Sequence, residues 1–227
     1  MCMLKLYIAN RNYSSWSLRP WVLMKQLGIA FEEQLVPFNG ADGAPDFRTF
    51  SPTGCVPCLV DNQQTIWDSL AITEYLAETH PHVWPASRPA RAWARSAAAE
   101  MHSGFTTVRS ICGMNCGLRV KLHEWPAALI DAWRRIDELW CEGLQRFGGP
   151  FLGGAAFGAA DAFYAPVAFR VQTYAPSLSV GAAQYAGGCW TCPPCAIGTP
   201  PRSRKPGAMK RTRRRRERWG CGCTTCE

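Results

Sequence analysis

The chain has 227 residues, enough for two domains with cores of their own, and 47% of them are hydrophobic. No apolar stretch reaches the roughly 18–20 residues of a membrane-spanning helix, which excludes an integral helical membrane protein, and Met1-Cys2-Met3 runs directly into a strand pattern without a signal peptide. The formal charge of +8 is uneven: residues 1–187 hold fifteen Lys+Arg and fifteen Asp+Glu, residues 188–227 hold ten and two.

Leu4-Lys5-Leu6-Tyr7-Ile8 is short and mainly apolar and predicts a strand. After it comes Tyr13-Ser14-Ser15-Trp16-Ser17-Leu18-Arg19, and then Leu18, Val22, Leu23 and Leu27 at helical spacing. The serines therefore fall at a helix N-terminus. Unpaired backbone N–H groups and the positive dipole end favour an anion there, and a serine hydroxyl can donate to it. A thiolate suits this place, since a thiol near pKa ~8.5 needs about 1.36 kcal/mol of preferential stabilisation for each unit it is lowered. Taken alone, Ser14 and Ser15 read first as plain capping residues, and it is the second segment, around Val56-Pro57, that favours the thiol site.

Phe31-Glu32-Glu33-Gln34-Leu35-Val36 predicts a second strand, and residues Gly40 to Pro52 an irregular connection rich in Gly, Pro and Asp. Pro52-Thr53-Gly54-Cys55-Val56-Pro57 then leads into the apolar Cys58-Leu59-Val60-Asp61. Pro57 cannot donate to a sheet ladder and belongs at the strand's entry, where a cis Val56-Pro57 bond would fit. Such a bend offers the N–H and C=O of Val56 to an extended peptide, which can pair as an added strand. Ile66-Trp67-Asp68-Ser69-Leu70-Ala71-Ile72-Thr73-Glu74-Tyr75-Leu76 opens another helix, with Asp68 and Ser69 placed to hold the amino and carboxylate groups of a ligand's terminus.

The order Ser-Ser-x-Ser-x-Arg, Pro-Thr-Gly-x-Val-Pro, Asp-Ser-Leu-Ala-Ile-x-Glu-Tyr-Leu resembles the glutathione-binding domain of cytosolic glutathione S-transferases, most of all the serine-type, zeta-like bacterial members. The resemblance is close over residues 3 to about 80 and looser to about 187. It implies an α/β thioredoxin-like domain at 1–80, a linker at 81–89, an all-helical domain at 90–187 and a cytoplasmic homodimer. Glutathione is the implied co-substrate, and a small electrophile its partner in the reaction. By resemblance Ser14 activates the thiol with Ser15 as its neighbour, Val56 and Pro57 meet the cysteinyl backbone, and Asp68 and Ser69 hold the γ-glutamyl end. Two positions depart from the pattern. Zeta enzymes that isomerise maleylacetoacetate carry a cysteine after the paired serines, where this chain has Trp16, so that reaction is not carried over. The residue before Val56 is often a lysine that meets the glycine carboxylate; here it is Cys55, which brings no charge.

Cys55-Val56-Pro57-Cys58 has C-x-x-C spacing, but thioredoxin-like redox pairs sit at the first helix's N-terminus, which here holds serines. Cys58 reads as a small buried residue and Cys55 as incidental.

Beyond the linker, Trp93, Ala97, Met101, Phe105 and Val108 predict one long amphipathic helix over residues 90–109. If it faces the serine turn, Trp16, His102, Phe105 and Arg109 line the second-substrate pocket; a Met-and-aromatic stripe is more often a core face, and a lone His a surface or hydrogen-bonded residue. Cys112 and Cys116, four apart, could share a helix face. Ile130, Trp133, Ile136, Leu139, Trp140 and Leu144 predict a core helix over 127–147. Gly158-Ala159-Ala160-Asp161 resembles the start of the family's buried helix, where Ser or Thr usually stands at the position of Gly158; Asp161 is expected to satisfy N–H groups there, a folding role.

Residues 188–227 break with this pattern. They carry six of the twelve cysteines, a run of prolines and Arg213-Arg214-Arg215-Arg216-Glu217-Arg218. C-x-x-C-x-x-C could ligate a metal, although no histidine accompanies it, so no metal site is assigned. The arginine run could bind nucleic acid, and no specific nucleic acid is assigned either. A third reading is a change of frame. Taking the third base of each codon with the first two of the next forces Leu-Asp from Cys189-Trp190-Thr191 and Glu from Met209-Lys210, and permits VLDLPAMRDWYAAALAETWRDEAH across Gly188 to Thr212. That string resembles the ending of a glutathione transferase. The truncated helical domain is then expected to leave the helix at 160–174 partly uncovered and aggregation-prone. The functional expectation is a transferase, with a non-catalytic glutathione-binding protein of the same fold and nucleic-acid binding through the tail as alternatives.

Overall fold

The computed structural model describes residues 3–38 and 45–191; what is expected of residues 192–227, metal, nucleic acid or change of frame, lies outside the described residues. The order of elements is β1 (Leu4–Ile8), α1 (Ser15–Gln26), β2 (Phe31–Leu35), β3 (Cys58–Asp61), β4 (Gln64–Trp67), α2 (Ser69–Ala77), α3 (Arg88–Ser103), α4 (Thr106–Ile111), α5 (Ala127–Phe147), α6 (Ala159–Tyr174) and α7 (Val180–Thr191). The sheet runs β2-β1-β3-β4, with β1 and β2 parallel and the other pairs antiparallel. A βαβ unit followed by a hairpin and helix is the expected thioredoxin-like arrangement, and an all-helical region follows it.

Two elements differ from their sequence pattern. Ile66 and Trp67 end a strand, because β4 pairs with β3 from Gln64 to Trp67 and the helix starts only at Ser69. The long helix over 90–109 is two helices. Gly104 turns to extended backbone while its N–H still reaches Glu100 O, and Phe105 takes φ +52°, so α4 restarts in a new direction. Cys112 then caps α4 and Cys116 lies in the loop beyond it, so the two share no helix. Burial pushes both thiols up, Cys116 to about 12, which makes them inert at neutral pH.

The centre of the helical region is α6, in which only Gln172 and Tyr174 are not buried. A helix apolar on every side needs neighbours on every side, and α1, α3 and α7 supply them. The expectation that this helix is left partly uncovered is therefore not met: α7 continues through residue 191 and packs on it. Gly158 stands at the N-cap without a side chain. Asp161 does the capping, accepting from Gly158 N at 3.0 Å, Leu152 N at 2.9 Å and Tyr185 Oη at 3.0 Å. Burial nevertheless pushes its carboxyl up to about 6 against the pull of these bonds.

Candidate active site

Strand register brings the three sequence segments to one rim. Tyr7 pairs with Cys58 and Cys58 with Trp67, so the end of β1, the start of β3 and the end of β4 lie in one row. The chain beyond that row is the serine turn after β1, Val56-Pro57 before β3 and Asp68-Ser69 after β4. The Val56-Pro57 bond is cis; Pro57 is buried, Val56 half-buried and outside the ladder, and Cys55 exposed. Cys58 is fully buried with its Sγ 3.4 Å from Phe50 O, in keeping with a packing role.

Ser14 is the N-cap of α1: its backbone is extended and its Oγ accepts the Ser17 N–H at 3.3 Å. Ser15 opens the helix and makes no side-chain hydrogen bond among the described residues. The first turn of α1 carries no acidic residue, so nothing on the helix itself opposes an anion at its mouth.

Asp68 takes φ +74° and ψ 140°, a region few residues other than glycine occupy. Such geometry costs about 1–3 kcal/mol and collects at ligand clamps. Asp68 Oδ1 offsets it by accepting from Leu70 N at 2.7 Å and Ala71 N at 3.4 Å. Its other oxygen, Oδ2, lies 3.7 Å from His102 Nε2. Ser69 is buried, and its Oγ accepts from Arg19 Nη1 at 3.3 Å.

Arg19 is the residue the sequence reading left without a role. It is 1% exposed, lies between the rings of Trp16 at 4.2 Å and Phe163 at 4.8 Å, and reaches Met101 O at 3.5 Å, while its Nε has no partner. Burial, then Arg109 and Arg170, lower its pKa to about 9, so it remains charged at neutral pH. The only cue in the sequence is its place two residues after Ser17. Charged side chains are almost never fully buried, so composition argues against finding it there.

Of the four residues expected at the second-substrate pocket, three meet. Trp16 packs edge-on against His102 with centroids 5.3 Å apart, and the Arg109 guanidinium lies 5.3 Å from the Trp16 ring. Arg109 also donates to His102 O at 3.1 Å. Phe105 is partly buried against the core at the break between α3 and α4, with no ring contact to the other three. Burial lowers the pKa of His102; Arg19 and Arg109 act in the same sense and Asp68 opposes them. The result is a partly apolar, electropositive wall beside the serine turn, built across the joint between the two regions.

The chain's similarities point the same way as this geometry. Residues 13–79 match the family described as "Glutathione S-transferase, N-terminal domain". A zeta-class glutathione S-transferase of Euphorbia esula is 32% identical over 173 residues, covering 72% of this chain and 73% of its own length. Maleylacetoacetate isomerase of Rattus norvegicus is 28% identical over 182 residues, covering 77% and 81%. Among solved structures, a Burkholderia glutathione transferase homolog with bound glutathione is 22% identical, aligns with a TM-score of 0.63 and covers 86% of this chain and 95% of that one, a likeness of fold. Helix mouth, proline-gated strand and capped α2 thus share one rim in a chain that belongs to the glutathione S-transferase family, as a zeta-like member.

Proposed function

We propose that the protein binds glutathione along this rim and uses its sulfur to attack a small electrophile. The observation that carries the reading is the single row Tyr7–Cys58–Trp67, which sets the mouth of α1, Val56 and Asp68-Ser69 along one edge. Ser14 and Ser15 hold the sulfur as thiolate at the N-terminus of α1. Val56 pairs with the peptide backbone, with Pro57 fixing the bend. Asp68 takes the amino group and Ser69 the carboxylate of the γ-glutamyl end, under the charge of Arg19. Trp16, His102, Phe105 and Arg109 enclose the electrophile. The thiolate displaces a leaving group, which departs with its bonding pair, or adds to an activated double bond, whose far carbon then takes a proton from solvent; either way a thioether is formed.

The test is conjugation of an activated aryl chloride. Ser14→Ala is expected to lower kcat/KM about a hundredfold, the scale of a lost transition-state donor. A thermal shift with glutathione that the Ser14→Ala variant keeps, together with lost turnover, separates an enzyme from a binding protein of the same fold. No shift in the wild type would remove the reading altogether.

Assembly is proposed as a cytoplasmic homodimer. The family likeness supports the dimer, and the free thiols of Cys55, Cys58, Cys112, Cys116 and Cys141 suit a reducing compartment. Among the described residues no helix is long and apolar enough to cross a membrane. Residues 188–227 are given no part in the chemistry. The abrupt rise in charge, cysteine and proline supports a lost base near codon 188, and resequencing the DNA tests it; an intact cysteine-rich frame would end that account.

A further inference from the structure

Ser17 has the lowest exposure of the three serines in the turn, 0%, and the chemistry proposed above does not use it. Its Oγ accepts the Ala9 N–H at 3.1 Å, just beyond the end of β1. The same oxygen lies 2.9 Å from Ser14 Oγ, a contact in which Ser14 donates, and Ser14 Oγ in turn accepts the Ser17 N–H. Two hydroxyls share this contact, and it uses only one of their protons. With Ser14 as donor, the Ser17 proton has no acceptor among the described residues, in a place closed to water. With the contact reversed, Ser17 donates to Ser14, every polar atom of the Ser17 side chain is satisfied, and the Ser14 proton is free to turn to the mouth of the helix. A hydroxyl proton rotates to suit its partners, and the reversal exchanges donor and acceptor across the same 2.9 Å contact.

We propose that Ser17 is a positioning residue: it relays the Ala9 backbone N–H through its own hydroxyl into Ser14, so that Ser14 presents its proton to the sulfur of glutathione. The proposal rests on the reading of Ser14 given above. Hydrogen bonds in a chain polarise one another, and Ser14 becomes a stronger donor when it accepts from both the Ser17 hydroxyl and the Ser17 N–H. Each hydroxyl proton stays on its own oxygen, and the proton lost by the thiol leaves to solvent.

The experiment follows the ultraviolet absorbance of the glutathione thiolate on the protein against pH, together with the pH profile of kcat/KM. Ser17→Ala is expected to bind glutathione within about threefold of wild type, while the thiol titrates about one pH unit higher and kcat/KM below pH 7 falls about tenfold, recovering at high pH. Ser17→Cys, which keeps a weaker donor in nearly the same volume, is expected to lie between the two; if Ser17→Ala does not fold, its profile decides. A loss of activity equal at every pH, or an unchanged titration, overturns the relay and leaves Ser14 in its role. A wild-type complex whose thiol titrates near the free value of about 8.5 overturns the reading of Ser14 itself.

Discussion

His102 Nε2 stands 3.7 Å from Asp68 Oδ2, so the last turn of α3 meets the strained cap of α2 across the joint between the sheet and the helices. Burial holds the imidazole below its ordinary value of 6.5, with Arg19 from α1 and Arg109 from α4 in the same sense. The unfolded chain therefore takes up this proton at a higher pH than the folded one. The contribution of His102 to stability is complete above about pH 6.5 and is lost as pH falls through its folded value. Thermal denaturation between pH 7.5 and 5 is expected to show a smaller decline for His102→Gln than for wild type, and parallel curves would contradict this.

Arg19 separates charge from packing. Arg19→Met keeps much of the volume beside Trp16 and Phe163, and it removes a buried charge whose Nε has no partner, which offsets the hydrogen bonds it gives up. Its melting temperature is expected to stay near wild type, while glutathione affinity falls about tenfold for want of the cation beside Ser69. Arg19→Lys cannot stack as a flat group between two rings and is expected to lose both. Calorimetry on the two variants checks the split.

Cys55 is exposed beside Val56. Cys55→Lys adds a cation where the glycine end of the tripeptide is expected, and should tighten glutathione binding by about threefold to tenfold at low salt, the gain fading as ionic strength rises. Titration at two salt concentrations measures it.

Asp161 answers three buried donors at once, so Asp161→Ala strands Leu152 N, Gly158 N and Tyr185 Oη. At about 1–3 kcal/mol for each unsatisfied group, a loss of about 3–5 kcal/mol is expected by chemical denaturation. The turnover of whatever remains folded should not change.

Where local chemistry and global position agree, the chain was readable. Ser14 caps α1, Pro57 gates β3 and Trp133, Ile136 and Trp140 are buried on α5, because cap, ladder and helical period each leave a pattern of their own. The break at Gly104 left none, since Met101, Phe105 and Val108 keep helical spacing across it and nothing in that spacing marks the left-handed Phe105. Ile66 and Trp67 were read into a helix because one apolar pair fits either period; cross-strand pairing with Leu59 and Cys58 decides it. Trp16 lies one helical turn before Arg19 on α1, but Phe163 comes from α6, and no spacing rule reaches that far along the chain.

β4 is a short edge strand, largely open to solvent, held through its ladder with β3; the Tyr75–Asp61 bond of 2.7 Å ties α2 to the end of β3 beside the hairpin. A slip of one residue along that ladder would turn every side chain of β4 to the opposite face and carry Asp68 away from His102. The hairpin at Asn62 therefore works as a ruler: its length, set at the far end of the ladder, measures out where Asp68 and Ser69 stand on the rim.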